Sequence, residues 1–239
     1  MRSVLNSAVA VHDEAGIGLP PGRLCLSRLA GLPQSVRRPA FDPALLQTGI
    51  LHLGCGSFHR AHQALLTQLA IEAEHGHSQR MAGKAPPPWG IAACSLRTPT
   101  IARALAAQDG LYTVLERGPE HTNATVIGTL RYALYVPDSL AWIDRLFRDP
   151  LIRFVTLTVT VSGYCNVPGG RLDLQRTDVQ SDLRAARPRT AVGLLVRGLR
   201  HRRDSGVAPP VVLSCDNLPG NGRFCGKSAW TLQRSPTMR

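Results

Sequence analysis

Short apolar runs alternate with stretches of helical period along most of this chain. The runs are bounded by glycine or proline and predict buried strands at Gly49 to Gly54, Gly90 to Leu96, Phe154 to Thr160 and Val211 to Cys215. After the first run, Phe58, Leu65, Leu66, Leu69, Ala70 and Ala73 recur at helical spacing, which predicts a helix from Ser57 to Glu74. Thr98 as N-cap with Pro99 in the first turn predicts a second helix through Ala107, and Ser139 caps a third that ends near Arg148. Thr190 opens a fourth that runs to Asp204 and is closed by Gly206. Tyr112 to Glu116 and Thr125 to Tyr132 carry β-forming residues on either side of a polar turn and predict a hairpin appended to the main sheet.

Strand alternating with helix implies an α/β fold, doubly wound, with a mainly parallel sheet and right-handed crossovers. Gly76 to Pro88 is rich in Gly, His and Pro and reads as a surface loop. Residues 1–31 carry no clean period and are broken by Gly16, Gly18, Pro20, Pro21 and Gly22, so a loose extension is expected there. The α/β domain is expected over residues 32–222. In residues 223–239 neither a helix nor an apolar period is evident, and a short tail unrelated to the domain is expected.

The 239 residues are enough for one well-buried domain, and the 44% apolar share fits a globular protein. No apolar run reaches the roughly 18 residues of a membrane span, and the start lacks the layout of a secretory signal, so no membrane partner and a cytoplasmic location are expected. The six cysteines show no Cys-x-x-Cys spacing, which argues against zinc and for reduced, packed thiols. The net charge of +12 is spread along the chain and is almost all arginine, Lys84 and Lys227 being the lysines. With few aromatic residues for base stacking, no nucleic-acid partner is expected; basic surface around an anionic cofactor or sugar acid accounts for the charge.

The densest candidate chemistry follows the first strand, in Gly54-Cys55-Gly56-Ser57-Phe58-His59-Arg60-Ala61-His62. Two spaced glycines let the backbone turn tightly and approach a pyrophosphate, whose charge the amides opening the next helix would face. His59 stands where a third glycine is usual, so the generic fingerprint is incomplete. His59 and His62 are one helical turn apart, a spacing open to a metal pair, to a phosphate-side or turn-capping role shared with Arg60, or to plain packing. No third ligand accompanies them, and no metal is expected.

The full string Gly-x-Gly-x-Phe-His-Arg-Ala-His resembles the start of the mannitol dehydrogenase family, the long-chain polyol and hexuronate oxidoreductases. Companion segments agree in order: Trp89-Gly90-Ile91, Gln108 to Thr113, Val126-Ile127-Gly128, Thr156 to Thr160, and Ser214-Cys215-Asp216-Asn217-Leu218-Pro219. The similarity runs from about Leu32 to Gly222. It implies a Rossmann-like domain and hydride transfer between NAD or NADP and a small-molecule polyol or keto sugar acid, fructuronate/mannonate or fructose/mannitol. Gln108 to Pro119 and Gly163-Tyr164-Cys165 look closer to the fructuronate reductases.

Under that resemblance Gly54, Cys55, Gly56, Ser57, Phe58 and His59 are the cofactor contacts, and Asn217 is the catalytic residue that polarises the substrate oxygen. The second strand ends Ser95-Leu96-Arg97-Thr98 with no carboxylate, which tilts the cofactor towards NADP with Arg97 as phosphate partner, NAD remaining open. Two departures bear on activity. The glutamate that the family sets before Gly-Tyr is absent from Val161-Ser162-Gly163-Tyr164. The family's Lys-x-x-x-x-Asn-x-x-His motif, in a helical domain downstream of Asn217, is not met either: after Lys227 its places hold Leu232 and Ser235. The expectation is a truncated member with the C-terminal helical domain missing, through a frameshift or similar event, and with little turnover. The alternative is a non-catalytic dinucleotide-binding fragment or an unstable product.

Overall fold

The computed structural model describes residues 22–78, 89–168, 170–184 and 187–235. Leu24, Leu26, Leu29 and Leu32, around a 3-10 turn at Leu26–Gly31, pack against Val36, Leu111, Ala124 and Val126. The end of the expected loose extension is thus anchored by leucines on one apolar cluster, while residues 1–21 of that extension lie outside the described residues. The chain continues through β1 (Val36–Arg37) into β2 (Thr48–Leu53), a one-turn π segment at His59–Gln63 and α1 (Ala64–Ser78). The helix takes in Gly76 to Ser78, which sequence assigned to a loop, and residues 79–88 of that loop lie outside the described residues.

Beyond it come β3 (Gly90–Ser95), α2 (Thr100–Ala106), β4 (Tyr112–Arg117), β5 (Thr122–Ile127), β6 (Leu130–Tyr135) and α3 (Val136–Arg148). The last part holds β7 (Phe154–Leu157), α4 (Thr160–Gly163), α5 (Thr177–Arg184), α6 (Ala191–Asp204), β8 (Val211–Ser214) and α7 (Asn221–Arg234). The main sheet has five strands in the order β6-β3-β2-β7-β8, all parallel. Alternation sorts its side chains. Leu51, Leu53, Ala92, Cys94, Val155 and Leu157 enter a core with α3 and α6, whereas Ile50, Ile91, Ala93 and Leu130 enter one with Ala64 and Leu105 on the other side. Burial on both faces is why these strands read as unbroken apolar runs.

The expected hairpin exists, but its second strand is two strands. Tyr112 pairs antiparallel with Ile127 and Arg117 with Thr122, and β1 joins β5 to make a separate sheet in the order β1-β5-β4. The break has a visible cause. The buried side chain of Gln68 donates to the Val126 carbonyl (2.9 Å) and accepts from the Gly128 amide (2.8 Å), taking the backbone groups that would continue the ladder. The chain then crosses at Gly128-Thr129 and pairs with β3 as β6.

Three terminus assignments also change. Helix α2 starts at Thr100 with Pro99 in the cap position, so Thr98 is not the N-cap. Helix α3 starts at Val136 with Pro137 in its first turn, which puts Ser139 inside it. In the segment expected to carry no helix, Cys225, Ser228 and Leu232 form the buried face of α7, which packs on β8 and α6. That face escapes a hydropathy reading because Ser228 is polar; its hydroxyl donates to Asn166 Oδ1 (2.5 Å). The cap of α6 is as expected, Thr190 Oγ1 accepting from Gly193 N (2.9 Å), and Gly206 closes the helix with φ of 66°.

Helices α3 and α6 pack at Gly198, where a Cβ would run into the fully buried ring of Phe147. Gly198→Ala is expected to lower stability by about 1–3 kcal/mol through overpacking. Urea denaturation measures this; an unchanged midpoint would mean that the Phe147 ring yields at no cost.

Candidate functional site

At the carboxyl end of β2 the chain turns through Gly54 with φ of 110°, and a Cβ there would collide with the Thr158 carbonyl after β7. Only glycine tolerates both the conformation and the approach. The amides of Gly54 and Cys55 donate to the Cys94 carbonyl (2.9 and 3.2 Å), tying the turn to β3. Arg60 N donates to Gly56 O (3.2 Å), so the amides of Ser57, Phe58 and His59 precede this first helical bond, where helix N-termini offer free donors. The Arg60 guanidinium donates back to Cys55 O (2.7 Å) and to Ser57 Oγ (3.3 Å), and Arg60 O accepts from Tyr112 Oη (2.7 Å).

Beneath the turn lies a buried polar chain centred on His52. Gln63 Nε2 donates to Thr156 Oγ1 (2.9 Å), which lies 2.7 Å from His52 Nδ1. His52 Nε2 lies 3.0 Å from Gly54 O and 2.9 Å from Thr158 Oγ1, and that hydroxyl donates to Gly54 O (2.8 Å). One neutral tautomer satisfies the set: Thr156 donates to Nδ1 and Nε2–H donates to Gly54 O. The His59 ring stacks on His52 with centroids 3.6 Å apart, and its Nδ1 meets Gln63 Oε1 at 3.1 Å. Burial, with the His59 ring disfavouring charge beside it, holds His52 well below the usual imidazole range. Burial brings His59 down to about 4.

A cleft of about 430 Å³ opens over the turn at the carboxyl ends of β2, β3 and β7. Gly54, Cys55, Gly56, Ser57 and Arg97 all line it. A Cβ on Gly56 would meet nothing closer than 3.8 Å, so the missing side chain leaves bare backbone beside open space. The structure does not bring Phe58, His59 or Asn217 to the cleft. Phe58 is exposed and stacks on His62 (4.5 Å), while His59 is fully buried under the turn, so the two histidines do not share a face. Asn217 is exposed just past β8.

Its neighbour Asp216 does structural work that sequence reasoning passed over. The carboxylate accepts from the amides of Val159 (3.0 Å) and Thr160 (3.1 Å) and from Tyr164 Oη (2.6 Å), which also bonds Ser214 Oγ. Burial, with the Asp216 charge nearby, pushes the Tyr164 hydroxyl upward. This carboxylate thereby fixes the turn after β7, where Thr160 takes the left-handed φ of 65°. Arg176, Asp178 and Arg189 also line the cleft; they come from a stretch with no motif, and only their charge ahead of the Thr190 cap distinguished them.

A parallel sheet with a glycine turn at its switch point, under an open cleft, defines a Rossmann-type domain. The Mannitol dehydrogenase Rossmann domain description matches residues 48–235, and the chain belongs to that family. Mannitol 2-dehydrogenase of Cereibacter sphaeroides is 42% identical over 195 residues, 80% of this chain and 39% of that protein. D-mannonate oxidoreductase of Escherichia coli strain K12 is 37% identical over 193 residues, 78% of this chain and 37% of that protein. Among solved structures, Pseudomonas fluorescens mannitol 2-dehydrogenase, a ternary complex with NAD and D-mannitol, superposes with a TM-score of 0.79 at 31% identity, covering 91% of this chain and 44% of that one. The chain thus spans about two fifths of the length of the curated relatives it matches.

The lowered histidine pKa values set a pH dependence. Unfolded imidazole protonates below about 6.5 while folded His59 resists until about 4, so stability is complete above 6.5 and is lost as pH falls towards 4. His59 alone is expected to account for about 2 kcal/mol of loss between pH 8 and pH 5. Urea denaturation at the two pH values should show a shallower loss for His59→Gln; equal slopes for the two proteins would remove His59 from the account.

Proposed function

We propose that this domain binds NAD or NADP in the cleft over Gly54 to Ser57. The observation that carries the reading is Gly56, whose bare backbone borders the open cleft just ahead of helix amides with no intrahelical acceptor. The residues present fit a pyrophosphate: Gly54 brings the turn against Thr158, Arg60 braces it, and Ser57, in the lining ahead of the first helical bond, supplies a donor. Bound there, nicotinamide supplies hydride exchange with a polyol or keto sugar acid, fructuronate/mannonate or fructose/mannitol. Asn217 is proposed as the donor to the substrate oxygen, and Asp216 holds the adjoining turn in place for it.

Residues 1–239 contain no Lys-x-x-x-x-Asn-x-x-His, so this stretch alone is proposed to bind cofactor without turning over sugar, as a dinucleotide-binding module. A small-molecule substrate and a cytoplasmic setting belong to the same proposal. The setting is supported by six free cysteines, four of them buried, and by the absence among the described residues of a helix long and apolar enough to cross a membrane.

Calorimetric titration with NADH and NADPH tests the reading. Gly56→Val is expected to weaken both by about tenfold or more, since a branched side chain would stand where phosphate approaches, while leaving the unfolding midpoint unchanged. Failure of the unmodified chain to bind either dinucleotide would overturn the proposal.

A further inference from the structure

The end of β3 carries a distinct chemistry within the cleft. Ser95, Leu96, Arg97 and Thr98 all line it, at the point where a Rossmann crevice meets the adenosine ribose. A carboxylate there takes the two ribose hydroxyls; a cation there accommodates a 2′-phosphate. None of these four residues is acidic. Of the described residues lining the cleft only Asp178 carries a carboxylate, and Arg176 already grips both of its oxygens (3.0 and 2.7 Å).

Arg97 is the opposite case. It is exposed, and among the described residues no acidic side chain pairs with it. Its backbone is tethered, Tyr135 Oη donating to the Arg97 carbonyl (3.4 Å), while Arg60 is occupied by Cys55 O and Ser57 Oγ. A guanidinium presents a planar fork of donors that matches a phosphate, and the Ser95 and Thr98 hydroxyls lie in the same wall. Arg60, Arg97, Arg176 and Arg189 against Asp178 also give the cleft a positive field that favours the more highly charged dinucleotide.

We infer that the cleft selects the 2′-phosphorylated cofactor, NADP(H), over NAD(H), and that Arg97 is the residue that selects it. The inference rests on the dinucleotide-binding reading and deepens it.

Titrations of the full chain with NADPH, NADH, adenosine 2′,5′-bisphosphate and adenosine 5′-monophosphate test it by binding alone. NADPH and the bisphosphate are expected to bind about tenfold or more tightly than NADH and the monophosphate, as one charge-assisted contact provides. Arg97→Ala and Arg97→Gln should erase that gap and leave NADH affinity within about twofold, with Arg97→Lys restoring part of it. The unfolding midpoint of each variant confirms that the fold persists. NADH binding as tightly as NADPH would overturn the inference and leave the dinucleotide reading standing, whereas binding of neither would overturn both. A gap that survives in Arg97→Ala would take the selection away from Arg97.

Discussion

A histidine inside the central strand of a buried parallel sheet has to be neutral and fully hydrogen-bonded, and His52 meets that condition through the turn above it. Its partners are the Gly54 carbonyl in the turn after β2, Thr156 on β7 and Thr158 beyond it, and Gln63 from the first helical turn donates to Thr156. The carbonyl of Gly54 serves both His52 and Thr158, so the conformation that presents the turn to the cleft is the one that satisfies the histidine. Sheet, glycine turn and helix start are therefore one polar unit rather than three packed pieces. Stacking His59 on His52 closes that unit from the helix side and explains why the helix opens with a π segment: Ala64 N reaches His59 O, a five-residue step that accommodates the buried ring.

A second constraint works at the other end of the cleft. Asp216 spends its acceptors on the turn after β7 and on Tyr164, so the last strand of the sheet dictates the shape of a loop between the fourth strand and its helix. The cleft is thus defined from both sides by hydrogen bonds between strand ends.

Much of the fold was legible because β2, β3 and β7 are buried on both faces and read as apolar runs between turns, and because Thr190 and Gly206 punctuate α6 as helix signals do. What stayed hidden depends on partners far away in the chain. The division of Thr125 to Tyr132 into two sheets depends on Gln68, nearly sixty residues earlier. The face of α7 is hidden because it includes the polar Ser228, whose buried hydroxyl is satisfied by Asn166, sixty-two residues earlier. In the site, glycines and the Arg97 position could be read from local rules, since backbone geometry and strand ends are local. His59 could not: helical spacing pairs it with His62, and only the ring of His52 below it decides that it turns inward.

The Asp216 tether also places events in time. A chain made from its amino terminus exposes the glycine turn, β3 and β7 first, yet the loop bordering the cleft is pinned by a residue close to the end of the 239. During synthesis the Val159 and Thr160 amides therefore leave the ribosome before the carboxylate that accepts from them. Until Asp216 is in place, the turn after β7 lacks the acceptor that shapes it.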